Sequence, residues 1–217
     1  MIKENVREIL SMLPRGVGLV AAAKTRSTEE VIEAIEAGIK MVGHNYVQEA
    51  EKDFETIAAR ARVHMIGHLQ SNKARKAVQL FDMIETLDSM KLAKALDKAC
   101  LSSGRIMPVL VEINSGEEDQ KAGVMPADAV SFIREIAGLK GIKIEGLMTM
   151  GPYAGDPEQA RPYFVRTRAI FEKIRGLSIS GVDMRYLSMG MSNSYGIAVE
   201  EGANLVRIGT RLFGERR

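Results

Sequence analysis

A lone cysteine, Cys100, is all the thiol this 217-residue chain carries. It excludes an internal disulfide and suits a reducing cytoplasm. Cys100 lies in the helical-looking stretch LAKALDKACL and reads as a small buried apolar residue rather than a nucleophile. Histidine is scarce too, with His44, His64 and His68 the whole supply. His64 and His68 are separated by Met65-Ile66-Gly67, not by the HExxH spacing of a zinc helix, and no third ligand is near in sequence, so no metal is expected. No Gly-rich Rossmann or P-loop fingerprint and no GxSxG elbow occurs. No apolar run is long enough to span a membrane, and the opening MIKENVREILSMLP alternates charged and apolar residues as an amphipathic helix does, unlike a signal peptide. Charge of one sign is lacking as well. Thirty basic residues face 28 acidic ones, a net +2, and no basic block is interleaved with aromatics. Nucleic acid and acidic membranes are not expected partners. No stretch is rich enough in Pro, Gly or Ser to link two domains, so the expectation is one soluble, cytoplasmic domain over residues 1–217.

What is present is apolar residues, 46% of the chain, arranged in short runs between longer helical-period segments. The runs cover 17–23, 40–43, 63–67, 83–86, 107–114, 142–148, 184–187 and 204–208. The periodic segments cover 28–37, 46–59, 72–79, 90–102, 126–137, 157–175 and 193–200. Eight strands, each followed by a helix or helical turn, predict an α/β fold of the (β/α)₈ TIM-barrel type, with an open doubly wound sheet as the alternative. Thr28 opens one helix and Gly38 closes it; Ser71 is a candidate N-cap, and Pro126 suits a first helical turn. The polar, Gly-containing loops 115–124 and 151–156 are candidates for a site's rim.

In a barrel the site lies where the strands end. The first strand ends in Lys24, whose amine either pairs with a neighbouring carboxylate or serves a pocket as a nucleophile. Asn45 follows the second strand; Gln70, Ser71 and Asn72 follow the third, each also compatible with helix capping. The strongest signal is at the far end. Strand seven leads into Ser188-Met189-Gly190-Met191-Ser192-Asn193-Ser194, and strand eight into Arg207-Ile208-Gly209-Thr210. Barrels frequently place a phosphate site there, and Ser192, Thr210 and the backbone of Gly209 suit one. Arg207, at the end of strand eight, needs a partner if buried.

Eight pieces in order, AAAKT (21–25), GHNYVQEA (43–50), HMIGHLQSNKAR (64–75), LVEINSG (110–116), KAGV (121–124), GLMTM (146–150), LSMGMSNS (187–194) and VRIGTRLFGER (206–216), resemble the pyridoxal 5′-phosphate (PLP) homeostasis protein family, relatives of the N-terminal barrel of alanine racemase. The resemblance covers essentially the whole chain. It implies a fold-type III PLP barrel lacking the racemase's C-terminal β-domain. Lys24 then matches the lysine forming the internal aldimine and Asn45 a residue near the ring and phenolic oxygen. Ser192, Gly209 and Thr210 match phosphate contacts, and Arg207 the arginine facing the pyridine nitrogen. A guanidinium there disfavours a protonated ring nitrogen and leaves the ring a weak electron sink. Three positions depart from the family pattern: His44 for glutamate, His68 for proline and Ser194 for an acidic residue, changes expected to leave the mouth more basic. Met150 and Glu112 stand where racemases carry a histidine and a lysine. The implied role is intracellular PLP storage, protection or delivery to apo PLP-dependent enzymes by a monomer, with consequences for vitamin B6 and amino-acid pools and no established catalytic residue. The alternatives are a weak amino-acid racemase and a phosphosugar-binding barrel whose lysine is of the aldolase type.

Overall fold

The computed structural model describes residues 1–152 and 155–215. An N-terminal helix α1 (Ile2–Met12) precedes eight parallel strands that close on one another in sequence order: β1 (Gly18–Ala22), β2 (Met41–His44), β3 (Arg62–Met65), β4 (Met83–Leu87), β5 (Met107–Glu112), β6 (Ile142–Met148), β7 (Val182–Ser188) and β8 (Leu205–Ile208). Closure of β1 on β8 pairs Gly18 with Leu205 and Ala21 with Ile208, which removes every free sheet edge. Most of the strands are rich in aliphatic residues, as strands buried on both faces are, while β7 (VDMRYLS) is more open and exposes Arg185. Alternate residues such as Leu19, Ala21, Val42, Val63, Val109 and Val206 join the outer core beneath the helices. The residues between them fill the barrel, where Val20, Met83, Leu110, Met148 and Leu205 pack together. A Cβ on Gly43 would lie 2.6 Å from Cδ1 of Ile66 and 2.8 Å from Cγ1 of Val20, so these neighbours already occupy its share of the interior.

The ring of helices is α2 (Thr28–Glu36), α3 (Val47–Ile57), α4 (Ala74–Leu80), α5 (Met90–Ser103), α6 (Ala129–Ile136), α7 (Arg161–Gly176), α8 (Tyr195–Glu200) and α9 (Thr210–Phe213). Helix α2 begins at Thr28 as expected, held by a reciprocal capping box between Ser27 and Glu30. Pro126 takes the first position of a 3₁₀ turn, Pro126–Asp128. Ser71 departs from expectation. It is the first residue of the 3₁₀ turn Ser71–Lys73, and Gln70 holds the capping position without a side-chain bond. The expected helix over 157–175 is divided, its first turn (Pro157–Ala160) being 3₁₀ and capped by Asp156 onto the Glu158 N–H. Strand β3 stops at Met65, two residues short of the expected run, because the backbone at Gly67 closes onto Asn45. A Cβ there would stand 2.3 Å from the Asn45 carbonyl oxygen. The rim loop 151–156 includes residues 153 and 154, which lie outside the described residues. Among the described residues no helix is long and apolar enough to cross a membrane. Cys100 is fully buried, and burial pushes its thiol up.

Candidate functional site

A cavity of about 520 Å³ opens at the C-terminal ends of the strands, and Lys24, Asn45, Ser192, Arg207, Gly209 and Thr210 all line it. The six residues lie up to 186 positions apart in sequence (24 to 210). Barrel closure brings them together.

The β1 ladder ends at Ala22, but the Ala23 N–H still donates to the Gly43 carbonyl at 2.9 Å. The chain then turns sharply. Thr25 has φ +63°, a left-handed conformation unusual for a residue with a branched side chain. Lys24 is thereby half-buried at the mouth, its Nζ 5.5 Å from the centre of the Tyr46 ring. Asn45, next to Tyr46, is held from behind by the close approach of Gly67.

Opposite stands a cradle made largely of backbone. The N–H groups of Gly209 and Arg211 both point at Oγ of Ser192, at 3.2 and 3.4 Å. Gly190 makes this possible: at φ +89° it turns the chain after β7, and a Cβ would meet Cβ of Ala198 at 2.6 Å and Cα of Tyr195 at 2.8 Å. Gly209 passes close to β1, where a Cβ would lie 3.1 Å from the Ala22 carbonyl oxygen. Converging backbone N–H groups and hydroxyls, with Thr210 exposed beside them, suit an anion.

The floor is different in kind. Arg207 is 3% exposed, and its guanidinium donates to Oγ of Ser188 at 2.5 Å and to the Thr149 carbonyl at 2.8 Å. The Ser188 hydroxyl donates to Oε2 of Glu85 at 2.7 Å, and the other Glu85 oxygen lies 2.7 Å from Nδ1 of His64. Burial pulls the Arg207 guanidinium below its ordinary value, while Glu85 and Glu112 pull it back up. Burial pushes the Glu85 carboxyl up, but the His64 bond and charge, Arg207 and Ser188 together hold it below the ordinary carboxylate value. Glu112, buried nearby, goes the other way. Burial and the negative charge of Asp88 push it to about 7 against the pull of Arg207.

The remaining sequence candidates separate. Gln70 faces a neighbouring cavity of about 340 Å³ that shares Asn45 as a wall, while Ser71 and Asn72 sit in the 3₁₀ turn. His44 is not a mouth residue. It is 2% exposed on the outer face of β2, and burial holds its ring below the usual imidazole range despite Asp53. His68 is exposed and lies 3.2 Å from Asp88, and Ser194 is buried with its hydroxyl accepting from the Met191 N–H. Of the three departures from the family pattern only His68 is exposed, and it lines the neighbouring cavity. Glu85, His64, Ser188 and Thr149 were not foreseen as parts of the site. A glutamate inside the apolar run MIETL was the available signal, since a buried acid demands partners.

The chain matches the family model described as "Alanine racemase, N-terminal domain" over residues 1–217. It is 38% identical to the pyridoxal phosphate homeostasis protein of Aquifex aeolicus across 100% of this chain and 96% of that protein. The chain belongs to the pyridoxal phosphate homeostasis protein family. Another member, from Homo sapiens, is 34% identical over 99% of this chain and 84% of its own length. Among solved structures, PipY of Synechococcus elongatus with PLP bound superimposes with TM-score 0.90 at 33% identity, covering 99% of this chain and 100% of that one. An alanine racemase of Clostridium difficile shares the fold, with TM-score 0.85 at 16% identity over 56% of its length.

Proposed function

We propose that this protein binds PLP in the cavity at the mouth of the barrel and serves intracellular PLP homeostasis, storing, protecting or delivering the cofactor. The observation that carries this reading is the convergence of a lysine amine, a buried guanidinium and a backbone anion cradle on one cavity of about 520 Å³, in a chain of this family. The donor set fits the group. The Ser192 and Thr210 hydroxyls and the N–H groups of Gly209 and Arg211 would hold a phosphate. Lys24 would be the covalent anchor, and Asn45 and Arg207, which line the same cavity, would hold the ring.

PLP, when bound, supplies an aldehyde for attachment and a ring that can delocalise negative charge. The chain's own residues restrain the second property, because a guanidinium beside a ring nitrogen disfavours its protonation. Met150, half-exposed at the rim, moves no proton. We infer binding with at most slow turnover, by one domain that acts as a monomer and hands PLP to apo-enzymes in the cytoplasm.

The test is an absorption titration of the purified protein with PLP beside Lys24→Ala, followed by borohydride reduction and peptide mapping. A yellow band and a reduced adduct on Lys24, both lost in the variant, are expected. Transfer of bound PLP to an apo-enzyme without exchange of D- and L-amino acids would separate a carrier from a racemase. Identical spectra of free aldehyde with both proteins would overturn the reading.

A further inference from the structure

Arg207 is fixed by a chain of hydrogen bonds whose directions are set from the guanidinium as far as Glu85. A guanidinium can only donate, so the Ser188 oxygen accepts from it at 2.5 Å. The single hydroxyl hydrogen of Ser188 is then committed to Oε2 of Glu85 at 2.7 Å. His64, Arg207 and Ser188 together hold the Glu85 carboxyl below its ordinary value, and its other oxygen lies 2.7 Å from Nδ1 of His64. Each link comes from a different strand: β8, β7, β4 and β3. All four side chains are at most 3% exposed, so water cannot substitute for a missing member. Nε2 of His64 is itself buried without a partner among the described residues, which leaves the ring one polar attachment there, Glu85. Thr149 anchors the guanidinium from the other side. Its carbonyl accepts from Arg207 at 2.8 Å, and its hydroxyl is tied to the Ile113 carbonyl and to Ser115.

We propose that Glu85 is a positioning residue: through Ser188 it aims the Arg207 guanidinium into the cavity and fixes how that cation meets the ring of a bound PLP. This rests on the PLP reading above. Glu112 is the wrong carboxylate for the task, since no hydrogen bond ties it to Arg207 and it exchanges its proton near neutrality. Glu85, whose carboxyl is held below its ordinary value, lies 3.9 Å from the guanidinium. A carboxylate behind Ser188 can only accept, so it fixes which way that hydroxyl points, and its charge offsets the cost of holding Arg207 in a dry interior.

The test compares Ser188→Ala, which breaks the link and removes one atom, with Glu85→Gln, which keeps the shape and removes the charge. PLP affinity, the pH dependence of the bound cofactor's absorption band, inorganic phosphate affinity and apo-protein melting are measured for each. PLP binding should weaken roughly tenfold in both, with phosphate affinity unchanged. The pH at which the band changes should move by roughly one unit, because the cation beside the ring is displaced. Wild-type affinity and pH profile in Ser188→Ala would overturn the inference, whatever happens to melting or to Glu85→Gln. Equal weakening of PLP and phosphate would also overturn it, pointing to a general loss of structure. Absence of a PLP band in the wild type would instead overturn the PLP reading itself.

Discussion

The two ends of the cavity meet charge by different means. At the rim, Ser192, Gly209 and Arg211 offer backbone N–H groups and a half-buried hydroxyl. On the floor, Arg207, Ser188, Glu85 and His64 are sealed side chains drawn from four strands. The rim is local chemistry: two short segments whose donors water can satisfy when the site is empty. The floor is collective chemistry, in which each buried group depends on the next. An exposed donor costs little when its partner goes, whereas a buried ion left alone costs several kcal/mol. Removing parts of each end should therefore give unequal results.

The largest effect is expected from Arg207→Leu. It strands the Glu85 carboxylate, and stability measured by urea unfolding should fall by about 3–5 kcal/mol. A loss below about 1 kcal/mol would mean that His64 and Ser188 alone hold Glu85, and the floor would be no more cooperative than the rim.

Next comes the pH dependence of Glu112. Its carboxyl titrates near 4.5 unfolded and about 7 folded, so the native state binds the extra proton between those values. Its contribution is fully present below about pH 4.5 and lost as pH rises through 7, a fall of about 3 kcal/mol at most. Glu112→Gln should flatten that slope in unfolding free energy measured at pH 5 and pH 8. An unchanged slope would assign the effect elsewhere.

At the rim, Gly190→Ala introduces a Cβ against Ala198 and Tyr195 at φ +89° and should cost about 2 kcal/mol of unfolding free energy. Ser192→Ala is the mildest. Its partners are backbone N–H groups within reach of water, so stability should change by less than about 1 kcal/mol while PLP affinity falls roughly tenfold. Equal losses of stability in Ser192→Ala and Arg207→Leu would erase the distinction between the two ends.

The contrast also explains what could be read without coordinates. The loop after β7 and the RIGT segment at β8 are each a short continuous stretch of sequence, and their small residues advertise a backbone cradle. Lys24 stood out because it ends an aliphatic strand. Arg207 was visible as a cation at a strand end, but its partners were not. Glu85 is 103 residues from Ser188, and His64 is 21 from Glu85, so no periodicity links them. His44 was misplaced at the mouth for a related reason. Strand periodicity fixes that neighbours alternate but not which set faces inward, and β2 turns Gly43 inward and His44 toward α3. The end of β3 was not legible because the backbone at Gly67 packs on Asn45, a contact between segments 22 residues apart.

By itself, then, the sequence determined the alternation of strands and helices, which fits a barrel or an open doubly wound sheet, and the two segments whose local composition builds the rim. Those features depend on short-range propensity, side-chain period and turn chemistry. Only the tertiary structure decided which histidine is sealed inside, which glutamate is held ionised and which titrates near 7, and where the Arg207 guanidinium is held. The physical reason is closure. When β8 pairs with β1, inward residues of strands far apart in sequence share one dry interior, and there the charge of each is set by the others.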